Sequence, residues 1–482
     1  MRILASKRVL FAAVLLFGLL AMTARSATDP DLWWHLRTGQ WIVENGRVPH
    51  TDPFSFTRGG SPWVSHEWLS GIIFYELWSH AGPGALIVFS SIITTAGFLL
   101  LYLRCPAKPH WAAALTVLGA AASASSWGAR PQMFTFTLAS LLLWLLESAE
   151  RRPRLLLWIP PLFLLWLNLH AGFALGPALL VLYALGLVFE GSAGATPWSH
   201  ARPIILRVLA ITLVCLALVP LNPSGAQLYR YPLATLRSSA MRSYIVEWFS
   251  PNFHQALYLP FLLTLLILFV AVAYSHSPLK ARTLLPLIFV TFAALDAVRH
   301  IPIFVLLAIP TIAAALPSSQ EFSAWPRPVS RKTAPLFQSA VIAFLVLFAL
   351  LRWTTLARDQ PSRESALFPA KAVSFLETAH EPERLFAYYD WGGYAIWKLN
   401  PEYRVFADGR ADLYGNDLLR QAVDTTAQLH DGWQSVLDHW KVDTILLPPS
   451  SALAQGLLLD PRWVSPYRDR QAIVFIRGEP LR

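Results

Sequence analysis

The sequence predicts a polytopic α-helical membrane protein of about eleven transmembrane helices, carrying a C-terminal extracytoplasmic α/β domain. Three observations predict it. The 482 residues are 55% hydrophobic and only 14% charged, with a mean hydropathy of +0.44, far too apolar for a soluble chain of this length. Apolar runs of bilayer length follow one another as far as Arg352. Beyond Arg352, charge density and turn signals return to those of a soluble domain. The formal charge of +10 sits mostly on residues that flank apolar runs, which is how membrane topology is written and not how a nucleic-acid surface is built.

Taken in order, Arg2, Lys7 and Arg8 precede an apolar run from Val9 to Met22. This run is either a signal peptide cut near Ala27 or a retained span; Arg25 crowds the cleavage site and favours the span. Both readings place the next segment, residues 25–83, outside. Within it, Val64 to Trp78 carries Glu67 and Glu76, which suit an interfacial helix better than a full span. Further spans are expected near 84–104, 110–127, 132–148, 155–167, 172–190, 203–220, 256–274, 281–296, 301–316 and 336–353.

Charge supports this threading. Cytoplasmic loops would hold Arg104 and Lys108, then Arg151, Arg152 and Arg154, then Arg202 and Arg207, then Lys280 and Arg282, then Arg327, Arg331 and Lys332. Outer loops keep arginine but no lysine, as the positive-inside rule requires. The N-terminus is therefore expected in the cytoplasm of a bacterial-type plasma (inner) membrane. Residues 1–353 form the transmembrane domain with its external loop 25–83, and residues 354–482 the external domain. In that domain helices are expected at Ala370 to Thr378 and Trp433 to Trp440, and strands at Arg384 to Tyr389, Tyr403 to Phe406, Thr444 to Leu447 and Ala472 to Ile476. Cys105 and Cys215 imply no disulfide framework. No P-loop, zinc spacing or G-x-S-x-G elbow occurs, which argues against ATP-driven pumps and serine hydrolases.

The polar chemistry concentrates in Thr28 to Thr38, T-D-P-D-L-W-W-H-L-R-T, directly after the first apolar run. Two carboxylates, a histidine and an arginine beside paired indoles suit a reactive centre at a membrane surface. The plainer reading is a loop in which Trp33 and Trp34 are interfacial anchors and Asp29 and Asp31 cap a helix, with Pro30 at its first position. External arginines at bilayer depth suit phosphate, because a planar guanidinium grips oxyanions bidentately. Each of Arg130, Arg230, Arg242 and Arg299 is either such a ligand or a head-group anchor.

Asp31-Leu32-Trp33-Trp34-His35-Leu36-Arg37 with Val43-Glu44-Asn45-Gly46 resembles the first external loop of catalytic oligosaccharyltransferase subunits, where an Asp at that offset from the Arg is the active-site carboxylate. Tyr388-Tyr389-Asp390-Trp391-Gly392-Gly393-Tyr394, followed by Ala407-Asp408-Gly409, is similar to their W-W-D-Y-G motif and its A-D segment. Ser243-Tyr244-Ile245-Val246-Glu247 resembles their short external motif ending in a catalytic-loop Glu. The resemblance places the chain in the GT-C superfamily and implies a membrane glycosyltransferase. Such an enzyme moves a sugar from a polyprenyl-phosphate or diphosphate donor to a lipid, glycan or protein acceptor on the extracytoplasmic face.

In that reading Asp31 is the catalytic base, Asp29 its alternate or a metal ligand, and Glu247 a catalytic-loop acid. Arg299, Arg130, Arg230, Arg242 and His35 are the donor-phosphate candidates; Asp390, Trp391 and Tyr394 are the acceptor candidates. His66, His170 and His300 read as polar packing, and Asp408 and Asp412 as turn residues. The chain departs from the pattern at Ser126-Trp127-Gly128-Ala129-Arg130-Pro131-Gln132, which lacks the family's acidic metal ligands. No cofactor is therefore expected with certainty; a divalent cation, Mg or Mn, would have only Asp29, Asp31 and Glu247. Two rival functions are an oligosaccharyltransferase acting on protein and a non-enzymatic transporter or structural membrane protein. The absence of a half-chain repeat and the gathering of polar residues on one side speak against transport.

Overall fold

A computed structural model describes residues 7–275, 278–316, 334–379, 384–427 and 432–478. The Arg327, Arg331 and Lys332 cluster lies outside the described residues. The chain forms two compact units: one of Met1–Arg25, Ile87–Leu221 and Glu247–Ala357, the other of Ser26–Leu86, Asn222–Val246 and Arg358–Arg482.

Among the described residues, seven helices are long and apolar enough to cross a membrane: Trp68–Arg104, Gln132–Ala149, Ala171–Ser192, Trp198–Leu221, Ala256–Ala273, Val298–Ala315 and Leu336–Leu367. The other four expected segments are helical but shorter, at Lys7–Thr23, Pro109–Ala122, Ile159–Leu169 and Ala281–Asp296. The expected interfacial helix and the span after it are joined as Trp68–Arg104, broken at Gly82, whose φ of 71° only glycine adopts easily, with Pro83 opening the second segment.

In the first unit, helix Val298–Ala315 is enclosed, with Phe304, Val305 and Leu306 fully buried. Helix Leu259–Ala273 instead exposes Leu263, Leu266 and Phe269, the pattern of a lipid-facing span. Two arginines expected to mark cytoplasmic loops are held in internal ion pairs: Arg104 with Glu147 at 2.7 Å, and Arg282 with Glu190 and Glu150, each at 2.7 Å. These pairs satisfy charge that the low-polarity surroundings would otherwise penalise.

The second unit contains a five-stranded sheet: β1 Arg384–Ala387, β2 Arg404–Val405, β3 Thr444–Leu447, β4 Trp463–Arg468 and β5 Ile473–Arg477. The strand order is β2-β1-β3-β5-β4, with β1 parallel to β2 and β3, and β5 antiparallel to β3 and β4. Phe386, Phe406, Tyr414, Ile445, Leu447 and Phe475 fill the core beside it. The segment from Thr51 reaches this sheet: Phe56 and Phe54 exchange backbone hydrogen bonds with Val405. Helices Ala370–Ala379 and Trp433–His439 lie where expected. The Asp390–Gly393 stretch, expected between strands, instead lies in helix Tyr389–Leu399, because the β1 strand ends at Ala387 and Tyr388 starts the turn into the helix.

Candidate active site

In the second unit, Asp29, Pro30 and Asp31 form a tight turn before helix Leu32–Asn45. Asp29 Oδ1 accepts the Asp31 backbone N–H at 3.0 Å, and the Asp29 carbonyl accepts the N–H of Leu32 at 3.1 Å. Asp29 thus has the local turn-forming role that the plainer reading gave to both acids. Asp31 makes no side-chain cap bond; its Oδ1 accepts from Trp34 Nε1 at 3.2 Å, one helical turn ahead.

Bare glycine backbone meets this turn. A Cβ on Gly409 would stand 1.9 Å from Asp31 Oδ1, one on Gly393 2.9 Å from the Pro30 carbonyl oxygen, and one on Gly392 2.2 Å from the Ala407 carbonyl oxygen. The Asp31 turn, the helix carrying Asp390 to Tyr394 and the Ala407-Asp408-Gly409 segment therefore meet in close contact. Tyr389 sits among them. Burial, then Asp31, Asp408, Asp390 and Asp412, push its phenol well above the ordinary tyrosine range, so it stays a neutral O–H.

The segments are fixed by a buried charge network. Arg410 donates to Asp52 at 2.7 Å and to both oxygens of Asp408 at 2.8 and 2.7 Å, with its guanidinium carbon 4.6 Å from the Trp63 ring centre. Tyr414 Oη donates to Asp408, and Ser55 Oγ to Asp52. Asp408, expected to be a turn residue, is thus a structural anchor. Through Arg410 it ties the Asp52 segment to the C-terminal sheet, which leaves Gly409 beside Asp31.

Of the acceptor candidates, Asp390 reaches solvent, while Trp391 and Tyr394 are buried. Trp391 Nε1 donates to the Leu367 carbonyl at 3.1 Å and Tyr394 Oη to Glu364 at 3.0 Å, and Trp33 packs edge-on against Tyr394. These rings shape the support under Asp31, and their faces are not open to a ligand. His35, a donor-site candidate, is also buried: its Nε2 lies 3.2 Å from Glu67 Oε2, and His66 Nε2 lies 3.3 Å from Glu67 Oε1.

A cavity of about 1050 Å³ opens in the same unit, lined by Arg230, Arg237, Tyr229, Tyr231, Asp412 and Asn416 among others. Arg230 was a donor-phosphate candidate; Arg237, seven residues on, was missed. Arg242 lies exposed at the end of the neighbouring helix Ser239–Tyr244. Burial holds the Asp412 carboxyl above its ordinary range, and His66 offsets only part of the rise. The adjacent His66-Glu67 pair was the available sequence signal for this part of the site.

The remaining candidates lie in the first unit. Glu247 forms an ion pair with Arg130, and Arg299 stacks its guanidinium 4.4 Å over the Trp248 ring. Burial raises the Glu247 carboxyl, but Arg130 and Arg299 outweigh it and hold it below the ordinary range. His170 packs inward, its Nδ1 2.7 Å from Thr135 Oγ1.

The metal candidates divide between the units: Asp29 and Asp31 in one, and Glu247 engaged by Arg130 in the other. Among the described residues no group of three His, Cys, Asp or Glu side chains could hold a metal ion.

No family model matches the chain, and no curated protein matches it by sequence. Solved structures do. The Archaeoglobus fulgidus oligosaccharyltransferase in the apo form superposes with a TM-score of 0.59 at 11% identity, over 92% of this chain and 70% of that one. The same organism's AglB, in complex with an inhibitory peptide and a dolichol-phosphate, gives 0.56 at 11% identity, over 91% of this chain and 69% of that one. The mycobacterial arabinofuranosyltransferase AftD gives 0.51 at 14% identity, over 98% of this chain and 40% of that one. What these comparisons share is a fold, and the chain is a membrane protein with the fold of the GT-C glycosyltransferases.

Proposed function

We propose that the protein is a membrane glycosyltransferase that moves a sugar from a polyprenyl-phosphate or diphosphate donor to an acceptor on the extracytoplasmic face of the membrane. The observation that carries the reading is the position of Asp31: the helix and the Ala407-Asp408-Gly409 segment that resemble the W-W-D-Y-G motif and its A-D segment pack onto the Asp31 turn from far along the chain, with the Gly409 backbone against the Asp31 carboxylate. A solved GT-C structure in complex with dolichol-phosphate adds support for the donor class.

In the transfer, the acceptor hydroxyl or amide attacks the sugar's anomeric carbon, and the bond from that carbon to the phosphate oxygen breaks. Asp31 takes the proton the acceptor loses. The lipid phosphate leaves with the bonding electron pair, and its charge is met by arginine, for which Arg230 and Arg237 line the cavity of the same unit. Trp34 orients the carboxylate by its hydrogen bond, and Gly409 leaves room for it.

The test is to incubate purified protein in proteoliposomes with a panel of radiolabelled polyprenyl-phosphate and diphosphate sugars, with lipid, glycan and peptide acceptors. Transfer to peptide alone selects an oligosaccharyltransferase; transfer from no donor overturns the reading.

A further inference from the structure

Ala27 is fully buried, in a stretch before the Asp29–Asp31 turn that is neither helix nor strand. Its peptide N–H and C=O must therefore find partners other than water. One side chain supplies both: Gln360 Oε1 accepts the Ala27 N–H at 3.0 Å, and Gln360 Nε2 donates to the Ala27 carbonyl oxygen at 2.7 Å. An N–H only donates and a carbonyl only accepts, so the amide has a single orientation here. Gln360 is itself 1% exposed and lies 333 residues along the chain, so the pairing is a tertiary contact that no local propensity supplies.

Gln360 is the first of a row. From Arg358 on, helix Ala334–Leu367 belongs to the second unit, and positions 360, 364 and 367 share one face of it, with Phe368 just past its end. Glu364 Oε1 accepts from Tyr394 Oη at 3.0 Å, and the Leu367 carbonyl accepts from Trp391 Nε1 at 3.1 Å. The Phe368 ring meets Trp33 edge-on at 5.2 Å and stacks on Tyr394 at 5.1 Å. Helix Tyr389–Leu399, held in this way, brings Gly393 against the Pro30 carbonyl oxygen. The turn is thus gripped before Asp31 at Ala27, beside it at Pro30 and after it at Trp33. The contacts at Pro30 and Trp33 are packing, which tolerates small shifts. The contact at Ala27 is a directed pair of hydrogen bonds, which fixes both the position and the rotation of the chain entering the turn.

We infer that Gln360 is a positioning residue: by clamping both peptide groups of Ala27 it sets where the Asp29–Asp31 turn begins, and so where the Asp31 carboxylate stands when it takes the acceptor proton. The part that concerns transfer rests on the glycosyltransferase reading; the clamp does not.

Two measurements on the full chain test this. Gln360→Met keeps the length and burial of the side chain and removes both hydrogen bonds. Hydrogen–deuterium exchange in detergent should then rise by about tenfold or more over residues 26–32, with the thermal transition and the exchange of the C-terminal sheet retained. Unchanged exchange there overturns the clamp whatever the enzyme assay gives. In proteoliposomes, Gln360→Met should lower kcat by about tenfold to 10²-fold and leave the donor KM unchanged, because a displaced base costs rate and not donor binding. A loss carried by KM, or full turnover in protein whose turn exchanges freely, overturns the positioning role. Gln360→Glu supplies the rescue: a protonated carboxyl again offers one acceptor and one donor to Ala27, whereas the ionised form offers no donor. Its kcat relative to wild type should exceed that of Gln360→Met and rise as pH falls from 8 to 6, roughly the range in which a buried carboxyl becomes neutral. A Gln360→Glu no better than Gln360→Met at any pH overturns the inference. Exchange released by Gln360→Met in a protein that transfers from no donor supports the clamp and overturns the glycosyltransferase reading alone.

Discussion

Asp31 presses its carboxylate onto the bare backbone of Gly409, so closely that a methyl group there would stand 1.9 Å from Oδ1. Gly409 does not lie in the left-handed region, so alanine is tolerated by the backbone and its effect is purely steric. Gly409→Ala should cost about 1–3 kcal/mol in stability by overpacking, and transfer should fall by about 10²-fold as the carboxylate is displaced. The same substitution should cost less in an Asp31→Ala background. Thermal unfolding and initial transfer rates of the two single variants and the double variant check it; strictly additive losses would separate the two residues.

Arg410 predicts an acid-sensitive lock. Burial raises the Asp52 carboxyl, but Arg410 and the hydrogen bonds from Ser55 and Phe54 hold it below its ordinary range. A carboxyl depressed in the folded state contributes stability that is present above its unfolded value, about 3.9, and is lost as pH falls through the folded value. Arg410→Met strands two buried carboxylates and should destabilise the protein by about 3–5 kcal/mol at pH 7. The deficit should shrink as pH falls through the depressed Asp52 value, where the wild type loses the pair that the variant already lacks. Thermal transitions of wild type and variant from pH 3 to 8 measure it, and a deficit independent of pH would place the cost in packing alone.

Arg299 combines a charge that bears on Glu247 with a planar stack on Trp248. Lysine keeps the charge and loses both the plane and the fork. Arg299→Lys should therefore raise the donor KM by about tenfold, with Arg299→Ala at least as severe. An unchanged KM in both variants removes Arg299 from the donor site.

Much of the fold was legible because it follows from period and composition. Every apolar run from Val9 to Arg352 is helical, and strand β3 falls on the expected residues because Thr444–Leu447 is a buried apolar run. Helix Tyr389–Leu399 was harder to see, since Gly392 and Gly393 disfavour a helix locally and are there only for close packing onto Ala407 and Pro30. Site legibility split the same way. Asp31 is a candidate from its own stretch alone, but Glu67 bridges histidines 35 and 66, and Arg410 pairs with residue 52 across most of the chain. Such partners are set by tertiary contact, which leaves no spacing to read.

Topology is tested by labelling. Ser450 is exposed in the C-terminal domain, and Ser192 is exposed at the end of helix Leu175–Ser192 in a loop assigned to the cytoplasm. In a cysteine-free background, with Cys105 and Cys215 replaced, a membrane-impermeant maleimide applied to intact cells should label Ser450→Cys, while Ser192→Cys should react only after lysis. Labelling of both from one side would overturn the assignment of residues 354–482 to the outside.

The most direct prediction concerns Asp31 against Asp29. Both lie in one turn, yet their contacts differ: Asp29 holds the turn through a backbone N–H, whereas Asp31 receives the Trp34 indole and lies against Gly409. Asp31→Asn preserves size and can still accept from Trp34, so expression and thermal stability should be nearly intact. It removes the anion that takes the acceptor proton, and transfer should fall by about 10²-fold or more, the usual scale for losing a positioned base. Asp29→Asn keeps a side-chain carbonyl that can accept the Asp31 N–H, so its turn should survive with a much smaller loss of rate. Initial rates in proteoliposomes, with folding followed in parallel, decide between the two. Near wild-type turnover by Asp31→Asn would sink the assignment, and equal loss in both variants would mean that the two carboxylates act as a pair.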